Sequence, residues 1–158
     1  MRQWQAVHPG IDIETMALIG RINRCAALLQ QAADARLRPE GLTRAEFDLL
    51  GTLRRSGRSL TPGELVRETF ASGAAVTKRL RALEERGLVS RQADSRDGRV
   101  SRLTLTEEGR ELTDRTQPAQ LELERSLLSG LAPDTRAELA DGLATLLLQL
   151  EGRLDAAR

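Results

Sequence analysis

The chain has 158 residues, 40% of them apolar and 30% charged, with a net charge of +1. Its one cysteine, Cys25, excludes an internal disulfide and a cysteine-based zinc site, and no run of about 18 apolar residues is present to span a membrane as a helix. Aromatics are limited to Trp4, Phe47 and Phe70, so a core must be built from Leu, Val, Ile and Ala, a composition that suits helices.

The opening MRQWQAVHPG has no apolar signal-peptide core, and a cytoplasmic protein is expected. From Ile13 to about Arg36, Leu18, Ile22, Cys25 and Leu29 fall at spacings of four, three and four, which predicts a long helix with one apolar stripe. Its place on that stripe predicts a buried, inert thiol for Cys25. Arg38-Pro39-Glu40-Gly41 breaks the helix. Thr43 followed by Glu46 is a capping box that opens a second helix, with Phe47, Leu49, Leu50 and Leu53 as its apolar set and Gly57 at its end. Thr61-Pro62-Gly63-Glu64 is a second capping box, with proline at the first helical position of a short helix ending near Phe70. Ala71-Ser72-Gly73 predicts a tight turn, Ser72 an N-cap, and Gly87 the stop of a helix over Gly73 to Arg86. The period then changes. Leu88 to Ala93 and Arg99 to Leu105 read as strands around a polar tip, Asp94-Ser95-Arg96-Asp97-Gly98. Thr106 caps a helix to about Ser129 with a kink expected at Pro118, and a last helix carries Leu139, Leu143, Leu146, Leu150 and Leu154 on one stripe.

A short helix, a tight turn and a basic helix followed by a hairpin describe a winged helix-turn-helix: a mainly α fold with a small β-hairpin wing. Charge supports a nucleic-acid face. From Arg67 to Arg102 there are nine Lys/Arg against five Asp/Glu, leaving 15 against 18 elsewhere, so the middle is basic and the flanks acidic. On a helix from Gly73 to Arg86, Val76, Leu80 and Leu83 share one side and must face the core. The other side carries Ala74, Lys78, Arg81 and Glu85. Candidate DNA contacts on this helix are therefore Ser72, Ala74, Ala75, Thr77, Lys78 and Arg81: small residues permit entry into the major groove, and cations reach phosphates or guanine edges. The same pattern also suits a surface amphipathic helix with solvated charges. At the wing, Arg96 and Arg99 suit a narrow minor groove, with Asp94 as support for Arg96; the same tip also reads as a solvated Asp-Gly turn.

GLVSRQADSRDGRVSRLTLTEEG resembles the wing signature of the MarR family of bacterial transcriptional regulators. SGAAVTKRLRALEERGLV resembles that family's recognition helix and LTRAEFDLLGTLRRSG its second helix. The resemblance covers nearly the whole chain. It implies a homodimer in which the first and last two helices intertwine, one DNA-binding lobe per subunit on a pseudo-palindromic site, and an effector pocket between the dimer helices and the lobe. The domain plan that follows is an N-terminal segment and dimerisation helix over 1–36, a DNA-binding lobe over 43–105 and C-terminal dimerisation helices over 106–158, within one domain. The apolar face from Leu139 to Leu154 agrees independently, since burying it on a second copy is the direct solution; packing on its own domain is the alternative.

The resemblance implies an effector set as well. Trp4, Asp48, Arg79 and Arg91 look like the Trp/Asp/Arg/Arg set of a branch of this family that responds to urate. An indole can stack on a flat heterocycle, Arg can hold an anionic oxygen and Asp can accept a ring N–H. The alternative for the polar members is an ion pair of Asp48 with Arg79 or Arg91. Redox sensing through Cys25 and the absence of any effector are the other readings of regulation. An enzyme is not expected: His8 is the only histidine, no Ser/His/Asp set, metal-ligand cluster or nucleotide-binding glycine loop is present, no cofactor is implied, and Glu84-Glu85 and Glu107-Glu108 read as helix-surface pairs. The expected function is a ligand-responsive repressor released from its operator by a small anionic aromatic ligand. The alternatives are a winged-helix protein-interaction adaptor and a constitutive DNA-binding factor.

Overall fold

The structure, a computed structural model, describes residues 6–8, 10–69, 71–94, 97 and 99–156, the last three by their backbone alone. Its elements are α1 (Ile13–Leu37), a single 3-10 turn (Arg38–Glu40), α2 (Arg44–Ser56), α3 (Pro62–Thr69), α4 (Gly73–Glu85), β1 (Val89–Ala93), β2 (Ser101–Leu105), α5 (Glu107–Leu127) and α6 (Pro133–Ala156). Two compact units divide it, Met1–Gln120 and Leu121–Arg158. Among the described residues no helix is long and apolar enough to cross a membrane.

Local chemistry fixes most element ends. Both Thr capping boxes form. Thr43 N–H donates to Glu46 at 2.8 Å and Thr61 N–H to Glu64 at 2.7 Å, while each threonine oxygen accepts the glutamate's own backbone N–H at 3.2 Å. Gly87, at φ 70°, closes α4: Leu88 N–H reaches Leu83 O at 3.0 Å and Gly87 N–H reaches Glu84 O at 2.9 Å, a left-handed C-cap that sends the chain into the wing. Thr106 then clasps that turn. Its hydroxyl donates to Gly87 O at 2.6 Å and accepts Gly109 N–H at 3.0 Å. A Cβ on Gly109 would stand 2.0 Å from Leu88 O, so only glycine permits this approach.

The core of the first unit gathers Leu37, Phe47, Leu49, Leu50, Leu53, Leu60, Leu65, Val76, Leu80, Leu83, Leu88, Val89, Leu103 and Leu112. The predicted inner faces of α2 and α4 are thus the buried ones. β1 and β2 pair antiparallel, Val89 opposite Leu105 and Ala93 opposite Ser101. A third segment, invisible to the sequence reading, joins them: Leu60 bridges Leu103 with N–H···O bonds of 3.0 and 2.8 Å.

Two expectations are corrected, at the wing strands and at Cys25. Leu88, Arg99 and Val100 lie outside the ladder: Leu88 N–H closes the α4 cap on Leu83 O at 3.0 Å, and Val100 N–H turns back to Asp97 O at 2.9 Å. α5 carries Pro118 inside it and ends at Leu127, close to the expected Ser129. Cys25 is exposed in the single chain, as are Leu18 and Leu29 of its stripe, because α1 buries only Ala33 and Leu37. The stripe is real in sequence, yet among the described residues it is left largely uncovered, with only Ile22 half-buried.

Candidate nucleic-acid interface

The site is built on α4 and the wing. Val76, Leu80 and Leu83 are fully buried and lock the helix in rotation. That leaves Ala74, Thr77, Lys78, Arg81 and Glu85 exposed and Ala75 half-buried. Ser72 caps the helix, its Oγ accepting Ala75 N–H at 3.3 Å, and its hydroxyl proton stays available to a phosphate. The first turn of α4 holds no acidic residue, so the positive end of the helix dipole is uncompensated. The Thr77 hydroxyl donates to Gly73 O at 2.8 Å, which leaves its oxygen as an acceptor for a base amino group rather than a donor to phosphate.

Ion pairing separates two populations of cation. Arg54 pairs with Asp114, Arg58 with Glu64, Arg91 with Glu84, Arg102 with Asp94 and Arg115 with Glu40. Among the described residues Lys78, Arg79, Arg81 and Arg99 have no carboxylate within 4 Å, nor does Arg67 on α3, which the sequence reading passed over. Cations that protein carboxylates leave unpaired on a nucleic-acid face are available to phosphates.

At the wing tip Asp97 Oδ1 accepts Arg99 N–H at 3.0 Å, an Asx-type turn that fixes the backbone from which the Arg99 side chain leaves. Arg96 and Trp4 lie outside the described residues. Asp94 is the wing's internal anchor: its Oδ2 accepts Arg102 Nε at 2.6 Å. This hydrogen bond, with the carboxylate's charge, holds the Arg102 guanidinium above its ordinary pKa. The role of Arg102 escaped the sequence reading because its partners are eight and 38 residues away.

The described members of the effector set, Asp48, Arg79 and Arg91, each have their own surroundings. Asp48 binds Arg44 Nε at 2.7 Å, and Arg91 binds Glu84 at 2.7 Å. Arg79 is half-buried and lines an open cavity of about 390 Å³, which also has Gln30, Asp34, Thr43, Glu46 and Lys78 in its walls; Asp48 and Arg91 are not among its lining residues. The two acids there are already engaged. Asp34 accepts Arg44 N–H at 2.6 Å and Glu46 accepts Thr43 N–H at 2.8 Å. The lysine and arginine opposite retain free donors. Among the described residues no group of His, Cys, Asp and Glu is placed to hold a metal ion.

Comparison with known proteins agrees with this geometry. Residues 40–100 match the model of the MarR family. The chain is 32% identical over 141 residues to the HTH-type transcriptional regulator PecS of Dickeya dadantii, covering 88% of this chain and 85% of that protein. It is 36% identical over 114 residues to the HTH-type transcriptional repressor Rv2887 of Mycobacterium tuberculosis, covering 72% and 81%. Among solved structures it resembles a cysteine-to-serine mutant of Escherichia coli MarR complexed with operator DNA, with a TM-score of 0.78, 26% identity and coverage of 87% and 99%. The fold is shared as well with AbsC of Streptomyces coelicolor, at a TM-score of 0.81, 24% identity and coverage of 90% and 97%. A winged helix-turn-helix with unpaired cations on its recognition helix, in a chain so related along most of its length, is a DNA-binding transcriptional regulator, and it belongs to the MarR family.

Proposed function

We propose that the protein is a cytoplasmic homodimeric repressor that leaves a pseudo-palindromic operator when a small anionic aromatic ligand binds. The observation that carries the ligand part is the shared position of Lys78: it is exposed on the recognition helix and also lines the cavity with Arg79. An anion held there by the Arg79 guanidinium would draw the Lys78 ammonium toward it and remove a cation from the DNA face. On this reading the anion is met by Arg79 and Lys78, while Asp48 and Arg91 serve mainly to hold Arg44 and Glu84. The repressor sense is supported by the printed function of the mycobacterial relative. Dimerisation is supported by α6, in which no described residue is buried although Leu139, Leu143, Leu147 and Leu150 are each 44–50% exposed. An amphipathic helix that covers no apolar surface has little reason to persist in water without a partner.

The test begins with selection of binding sites from random duplexes. Two inverted half-sites about one helical turn apart are expected, with affinity falling steeply as salt rises. Urate is then titrated into the complex. Release at millimolar urate or below, abolished in Arg79→Ala, supports the effector reading; retention of the duplex throughout removes it.

A further inference from the structure

We propose that Arg102 is a positioning residue for DNA binding: it stands between two part-buried carboxylates, Asp94 at the wing root and Glu64 at the start of α3, and so sets the angle at which the wing leaves the helix-turn-helix. The inference rests on the reading that Arg99 at the wing tip contacts DNA.

The geometry is a chain of alternating charges. Asp94 Oδ2 accepts Arg102 Nε at 2.6 Å, Arg102 Nη1 lies 3.8 Å from Glu64 Oε2, and Glu64 Oε1 accepts Arg58 Nη2 at 2.9 Å. The carboxylates are the inner members. Asp94 and Glu64 side chains are 14% and 22% exposed, against 36% for Arg102 and 59% for Arg58. Glu64 keeps Arg58 and the Thr61 N–H, and Asp94 the Asp97 N–H, but without the guanidinium the two carboxylates lose the one cation they share, and the wing loses its tie to α3. The backbone cannot hold the angle alone. The third-segment bridge from Leu60 reaches Leu103, one residue short of Arg102, and beyond it the ladder has two strands only. Arg102 is the last described side-chain tie between wing and helices before the tip. It borders an open groove of about 650 Å³ together with Arg58, Gln92 and Asp94, so the wing has room to move. The guanidinium fork matters here, because one planar group must serve two acids from fixed directions, which an ammonium does not do.

Affinity for a labelled duplex recovered from the random-site selection, measured against salt, tests this. Arg99→Ala is expected to weaken binding about tenfold and lower the salt slope by about one. Arg102→Lys keeps the charge and loses the fork. It is expected to weaken binding about fivefold, with a wild-type melting temperature and a reduced salt slope despite unchanged net charge, since a misplaced wing releases fewer counterions. The double variant is expected to bind no worse than Arg99→Ala alone. Asp94→Asn, which breaks the same pair from its other end, should give the same loss and the same absence of additivity. Wild-type affinity in Arg102→Lys or Asp94→Asn overturns the proposal, as do losses that multiply in the double variant, which would mark Arg102 as an independent phosphate contact. If Arg99→Ala binds like wild type, the wing reading fails and takes this one with it, whatever Arg102→Lys does.

Discussion

Leu80 and Leu148 are the same residue on two helices of this chain, yet one is 0% exposed and the other 71%. The difference extends to whole regions. In the winged lobe, side chains find their partners within the chain: leucines meet leucines, and most arginines meet carboxylates. Along α6, and along α1 until Ala33 and Leu37 reach the core, the described leucines stay largely exposed. Where a region completes its contacts internally it can fold as a monomer; where it does not, the missing half must come from outside. In the lobe the exceptions to internal pairing are informative. Among the described residues Arg67, Lys78, Arg79, Arg81 and Arg99 pair with no carboxylate, and Lys78, Arg81 and Arg99 are the ones proposed to meet DNA.

The sharpest way to break this comparison is to remove the outside partner. In the double variant Leu143→Lys/Leu150→Lys two charges enter one face of α6, seven residues apart. The chain is expected to sediment as a monomer at micromolar concentration, and its affinity for a two-half-site duplex to fall about a thousandfold, because the second lobe no longer binds as part of the same molecule. Unchanged sedimentation would show that α6 is covered in some other way. The complementary substitution lies in the lobe. Leu80→Ala empties a fully buried position and is expected to cost about 3 kcal/mol of stability, read from the urea midpoint at a fixed dimer concentration. A loss below about 1 kcal/mol would mean that the lobe's packing is less decisive than its burial indicates.

The same contrast explains what could be read from sequence. The lobe was legible because its signals are local. Thr43 with Glu46, Thr61 with Glu64, Ser72 before α4 and Gly87 after it each act within one helical turn, and the 3.6-residue period identified Val76, Leu80 and Leu83. What was missed acts over distance. The Leu60–Leu103 bridge and the Glu64–Arg102 and Arg54–Asp114 pairs join residues 38 to 60 positions apart, and no spacing rule reaches them. Cys25 was misjudged for a related reason: periodicity says which face is apolar, not whether the covering surface is in the same chain. Among the candidate site residues, those on α4 were legible from the helix face alone. Asp48 and Arg91 stand out by resemblance, and their partners in the fold are local ones, Arg44 at four residues and Glu84 at seven.

The smallest of these effects concerns acid, and it tests whether a lobe charge is bound as firmly as a lobe leucine. Glu64 accepts the Thr61 backbone N–H and the Arg58 guanidinium, and these hold its pKa down at about 2, from an ordinary value of 4.5. A carboxyl whose folded pKa is depressed adds stability above its unfolded pKa, so the contribution is fully present at neutral pH, begins to fall near pH 4.5 and is gone as pH approaches 2. With the side chain 22% exposed, the contribution at neutral pH is about 1–2 kcal/mol once solvent screening is allowed for. Glu64→Gln keeps an acceptor for Thr61 N–H and removes the charge. Its stability should therefore lie below wild type at pH 7 and converge on it as pH falls from 5 toward 2. Asp114, lowered by Arg54, titrates alike in both proteins and cancels in the difference. Parallel stability curves over that interval would mean that Glu64 caps α3 as a neutral group would, and that its bonds to Thr61 and Arg58 do not distinguish the ionised carboxyl from the protonated one.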